Sequence, residues 1–105
     1  MDANVHVLKT WPDPYDEVTA QRKTAEFRKD DRGYMDGDVL ILRRWCPKSR
    51  SYGHGWQMRI ITHVAAHGFG IPDGHVMLSM RTMNYDERRI AFGLAEHIGV
   101  WPFDE

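Results

Sequence analysis

Four apolar residues in unbroken succession, Val39-Leu40-Ile41-Leu42, stand inside the run Asp38 to Trp45. Successive side chains of a strand point to opposite faces, so an unbroken apolar run is stable only where both faces are covered. This segment is therefore expected at the centre of a sheet or barrel, with other elements packed on each side. Asp36-Gly37 immediately before it supplies the turn that leads in.

The rest of the chain supplies those elements. Val5 to Thr10 alternates as a first strand and is stopped by Trp11-Pro12, because proline cannot donate to a ladder. A short helix is expected next, with Asp13 as N-cap, Pro14 at its first position, Tyr15, Val18 and Ala20 on its buried face, and an end near Gln21. Lys23 to Lys29 has period two, with Ala25 and Phe27 on one face and Thr24, Glu26 and Arg28 on the other, and reads as a strand with a charged face. Cys46 to Gly55 reads as a flexible hairpin tip, and strands are expected at about 56–65 and 75–80, separated by the turn-rich stretch Ala66 to Gly74. Asn84 three residues before Glu87 forms a capping-box pattern, after which Ile90, Ala91, Leu94 and Ile98 repeat at helical spacing until Gly99. The fold class is thus α+β, with about five strands, one early helix and a C-terminal helix. Residues 1–82 are read as the domain body and 83–105 as a helical extension packed on it.

Composition narrows the setting. A chain of 105 residues that is 42% hydrophobic and 11% aromatic can bury one core and is too apolar for a disordered segment. The single cysteine, Cys46, cannot form an intramolecular disulfide, so a reducing compartment is expected. No stretch approaches the ~20 apolar residues a membrane helix needs, and Met1-Asp2-Ala3-Asn4 lacks the features of a signal peptide, which points to the cytoplasm and away from membranes. No cofactor motif is present. His63 and His67 have a metal-ligand spacing only on a helix, and their neighbours favour strand and turn, so no metal site is expected. The net charge of −1 gives no global attraction to phosphates, but residues 22–50 carry +4 between acidic flanks of −3 and −2.

The pattern His6-x-Leu8-Lys9-Thr10-Trp11-Pro12, then Arg22-Lys23-Thr24-x-Glu26-x-Arg28-Lys29-x-Asp31-Arg32 and Gly37-Asp38-x-Leu40-x-Leu42, resembles the ASCH-like family of the PUA superfamily. More narrowly it resembles a branch of short uncharacterised proteins from phages and bacteria. The resemblance runs from about residue 5 to 80 and includes Gly68-Phe69-Gly70 and Val76-Met77-Leu78-Ser79. It implies a PUA-like β-barrel with a helix beside a cleft that receives RNA or a modified nucleotide. Some relatives look like amidohydrolases, with a threonine nucleophile three residues after the motif lysine; here that position is Glu26.

On this reading the nucleic-acid-binding residues are Lys9, Trp11, Lys23, Thr24, Glu26, Arg28, Arg32 and Arg43, and Lys23 with Glu26 is the candidate catalytic pair. A carboxylate can accept from an exocyclic amine, an arginine can grip a phosphate, and an exposed tryptophan can stack on a base. The bland alternative is that Glu26 and Arg28 form a structural ion pair and Trp11 belongs to the core. His6 on the first strand reads as structural. Around the hairpin tip, Arg43, Arg44, Lys48 and Arg50 interleave with Trp45, Tyr52 and Trp56, a composition found on single-strand-binding surfaces. Two rival functions stay open: a nucleoside or RNA hydrolase, and an interaction module whose tail Val100-Trp101-Pro102-Phe103 anchors a host protein.

Overall fold

The computed structural model describes residues 3–68 and 70–103. Met1 and Asp2 of the polar opening, and Phe69 of the Gly68-Phe69-Gly70 turn, lie outside the described residues. Seven elements follow in chain order: β1 (Val5–Thr10), α1 (Pro12–Thr19), β2 (Ala25–Lys29), β3 (Val39–Cys46), β4 (Ser51–Ala65), β5 (His75–Arg81) and α2 (Tyr85–Ile98). The five strands form one mixed sheet in the order β1-β3-β4-β5-β2. Only the β1–β3 pair is parallel; the other three pairs are antiparallel. β1 and β2 are therefore the sheet's two edges. They are not hydrogen-bonded to each other, so the expected closed barrel is replaced by an open, coiled sheet.

The apolar run behaves as its pattern dictates. Leu40 and Leu42 enter one core with Leu8, Val18, Ile61, Val76 and Leu78, while Val39 and Ile41 enter a second with Val5, Met58, Ala91 and Ala95. α1 covers the first face through Val18, and α2 covers the second. Trp56, Phe92, Trp101 and Phe103 extend the second core by edge-on aromatic contacts with centroids 4.8–5.4 Å apart. The C-terminal tail thus folds back onto the sheet, and its use as an anchor for another protein loses its motive.

Local differences from the sequence pattern have physical reasons. α1 starts at Pro12, with Trp11 at the cap position and no side-chain cap, so Asp13 lies inside the first turn. Pro12 has no N–H to satisfy and its fixed φ suits that position as well as Pro14 would. The stretch expected to be a loose tip is mostly strand: β3 continues to Cys46 and β4 restarts at Ser51, leaving four residues of turn. Gly55 sits in this arm with φ +94°, and a Cβ there would lie 2.9 Å from the Tyr15 hydroxyl, so glycine is required where the arm meets α1.

α2 keeps its predicted caps. Asn84 and Glu87 exchange side-chain to backbone hydrogen bonds, and Gly99 ends the helix with φ +83°. Its buried stripe differs, however. Ala91 and Ala95 face the sheet, Leu94 is half-buried, and Ile90 is 69% exposed. Small residues let the helix lie close to the strands, and that rotation carries Ile90 outward.

Glu87 also receives both Nη atoms of Arg81, at 3.0 and 2.8 Å. The Arg81 guanidinium, with the Asn84 amide, holds the Glu87 carboxyl at about 2, below its ordinary 4.5. A carboxyl depressed in the folded state stabilises it above the unfolded value, and that contribution is lost as pH falls through about 2. An NMR titration should find Glu87 still ionised at pH 3.5, and Arg81→Ala should return its midpoint towards 4.5. An ordinary midpoint in the unaltered protein would contradict the bidentate contact.

Candidate functional site

The sheet coils so that its two edges face each other across a seam bridged by side chains. Arg28 Nη2 donates to the Lys9 carbonyl at 2.8 Å, and Arg32 Nη1 donates to the Val7 carbonyl at 3.0 Å. At one end the seam widens into a cleft of about 640 Å³ between the end of β1 and β2.

Glu26 lies at its floor, 4% exposed. Lys23 Nζ donates to Oε1 at 2.6 Å and Arg28 Nε to Oε2 at 3.1 Å, while the Lys23 ammonium also donates to the Ala25 carbonyl. The burial follows from register. Glu26 stands opposite Leu78 and Arg28 opposite Val76, so both share a sheet face with two residues of the first core. The charged face of β2 is thus its inward face. Phe27, on the apolar face, points out at 48% exposure and stacks on His75 with ring centroids 5.4 Å apart.

Lys9, Lys23, Arg28 and Lys29 line the cleft against the single acid Glu26, which makes it cationic. Trp11, 61% exposed, and Phe27, half-exposed with His75 stacked on it, also line the cleft. Thr10 lines the cleft from β1 with its hydroxyl buried and without a hydrogen-bond partner among the described residues. Paired as it is, Glu26 keeps lone pairs free to accept from a ligand amine. The cations can take an anion, and Trp11 can stack on a flat ring.

The eight predicted binding residues do not all meet here. Trp11, Lys23, Glu26 and Arg28 do. Lys9 lines the cleft, but its ammonium lies 4.0 Å from the Trp45 ring centroid. Arg32 is spent on the β1 backbone. Arg43 is on the other face, its guanidinium carbon 3.6 Å from the Tyr52 centroid and 4.0 Å from that of Phe103. Thr24 lines a separate, smaller recess of about 210 Å³ that shares Lys23 with the cleft.

Two features escaped the sequence reading. Asp38 is buried and accepts from His6 Nε2 at 2.8 Å, from the Asn4 amide at 3.1 Å and from the Met35 amide at 3.1 Å. The His6 ring in turn lies edge-on to Tyr34, whose hydroxyl is pushed upward in pKa chiefly by burial. An acid at the very start of the apolar run was the available signal. Arg59, 7% exposed, donates to the carbonyls of Val18 and Met58 and to the Gln57 side chain, with no carboxylate partner among the described residues. Its place one residue after a buried methionine gave no warning. His63 lies on β4 and His67 beyond its end, so their spacing is not helical.

Comparison with known proteins places the chain. An uncharacterized 12.9 kDa protein in the GpA 3′ region of Escherichia phage P2 is 47% identical over 45 residues, which cover 43% of this chain and 41% of that protein. The match thus spans about two-fifths of the length of that relative. A family model described as a domain of unknown function, DUF3850, matches residues 5–80, from the start of β1 to within one residue of the end of β5. The elements that build the cleft all lie inside that span, and the chain belongs to the DUF3850 family.

Proposed function

We propose that the seam cleft binds a nucleobase-bearing ligand, a modified nucleotide or a single-stranded stretch of RNA. The observation that carries this is a buried carboxylate held between two cations on the floor of a cationic cleft lined by an exposed tryptophan. A purely structural ion pair would account for Glu26 but gives no reason for Trp11 to stand 61% exposed beside it, with the Phe27–His75 stack lining the same cleft. The resemblance to ASCH-like domains supports the same reading and the same residues. A hydrolytic variant is favoured by one contact, the 2.6 Å pairing of Lys23 with Glu26, which would set a base beside a cation able to steady a developing oxyanion.

The test is a titration of the protein with short RNA, single-stranded DNA and nucleosides, including acylated cytidine, followed for both binding and product. Binding should weaken with salt. Trp11→Ala should lose one stacked base, worth ~1–3 kcal/mol, or about five- to 150-fold in affinity. Absence of binding to every ligand, or equal affinity in Trp11→Ala and Lys23→Ala, would overturn the proposal. Product that disappears in Lys23→Ala and Glu26→Ala would make the site catalytic.

A further inference from the structure

The recess behind Lys23 has a charge imbalance that the fold leaves uncompensated. It measures about 210 Å³ and is bounded by Arg59, Lys23, Arg81, Thr24 and Thr82, with no acid in its lining. Lys23 and Arg81 have carboxylates elsewhere, in Glu26 and Glu87. Arg59 has none. Its three hydrogen bonds go to neutral oxygens, leaving two of the five guanidinium N–H groups without an acceptor among the described residues.

A buried cation of this kind is costly unless paired. The Val18 carbonyl at the end of α1 offers the negative pole of a two-turn helix, which offsets only part of that cost. Burial and the nearby Arg88 charge both push the Arg59 pKa down, as expected where positive potential accumulates.

We propose that this recess is a phosphate subsite, in which an oxyanion takes the two free N–H groups of Arg59 and draws on Lys23, Arg81 and the Thr24 hydroxyl. Planar guanidinium forks match phosphate oxygens, and Lys23 lies in the wall between recess and cleft. A ligand with its base in the cleft would therefore place a phosphate here, so the preferred ligand is a nucleotide rather than a nucleoside. The identity of the ligand rests on the cleft reading; the anion site itself does not.

The experiment compares inorganic phosphate, a nucleoside and its 5′-monophosphate on the unaltered protein and on Thr82→Glu. Thr82 is exposed and follows the last residue of β5, so the variant keeps the sheet intact and supplies a carboxylate at the mouth of the recess. Arg59→Leu is less informative, since it also removes the hydrogen bond to α1. The monophosphate should bind at least about tenfold tighter than the nucleoside, the increment of one charge-assisted hydrogen bond, and Thr82→Glu should cancel that gain. Phosphate should raise the melting temperature of the unaltered protein but not of Thr82→Glu, which should already melt higher in phosphate-free buffer. Equal binding of nucleoside and monophosphate, or a gain that survives in Thr82→Glu, would overturn the subsite and leave the cleft reading standing. Phosphate binding lost in Thr82→Glu, with no nucleoside bound, would uphold the subsite and sink the cleft reading. Binding of none of the three would remove both.

Discussion

Asp38→Ala is expected to remove about 3–4 kcal/mol of stability, because one buried imidazole and two part-buried backbone amides lose their acceptor at once and each orphaned group costs ~1–3 kcal/mol, least where water can reach it. The donors come from the His6 ring and the amides of Asn4 and Met35, so one carboxylate ties the start of β1 and the Met35 turn to the start of β3. A domain of this size has ~5–15 kcal/mol in total, so the loss is a large share of it. Asp38→Asn keeps one carbonyl oxygen and should fall between the two. Urea unfolding followed by circular dichroism measures the difference. A variant within 1 kcal/mol of the parent, roughly the size of one net hydrogen bond, would mean that Asp38 does not organise this junction.

Glu26→Ala comes next in size. Removing one partner of a buried ion pair costs ~3–5 kcal/mol, but the Lys23 and Arg28 side chains keep about a quarter to a third of their exposure, and water can recover part of that. A loss of about 2–3 kcal/mol is expected on that basis. Ligand binding should disappear in the same variant. Stability and function separate in Lys23→Met with Glu26→Met, where two of the three charges leave together and only the partly exposed Arg28, still bonded to the Lys9 carbonyl, loses its carboxylate. That double variant should therefore melt above Glu26→Ala yet bind nothing in the cleft. If it binds normally, Lys23 and Glu26 are structural and the ligand, if any, sits elsewhere.

Most of the element order was legible because it rests on local rules. The unbroken run at Val39 to Leu42 demanded a strand covered on both sides, and the Asn84, Glu87 and Gly99 signals bounded α2. What was not legible depends on distant partners. The two residue sets of β2 could be read off its alternation, but which set faces inward is decided by register against β5, and there the charged set won. Sheet closure was likewise beyond local pattern, since two edge strands may face each other without exchanging a single backbone hydrogen bond. For the site, the spacing of Lys23, Glu26 and Arg28 on one strand face was enough to group them, whereas Arg43 lies on the opposite side, where alternation from Val39 and Ile41 puts it. Arg59 carries no motif, and the Gly37-Asp38 pair gives no hint of what Asp38 bonds to; only the three-dimensional account of who accepts from whom reveals their roles.

The seam between β1 and β2 also bears on how the molecule keeps to itself. An edge strand offers a row of free carbonyls and amides, the template on which a foreign strand can add and from which aggregates grow. On β1 two carbonyls of that row, those of Val7 and Lys9, are already occupied, by Arg32 just beyond β2 and by Arg28 on β2. A strand arriving from another chain would have to displace both guanidinium groups before it could pair. A ligand entering the cleft needs only side-chain rotation, since no backbone ladder spans the gap. The same two arginines thus shield the sheet against polymerisation and leave its interior open to a small guest.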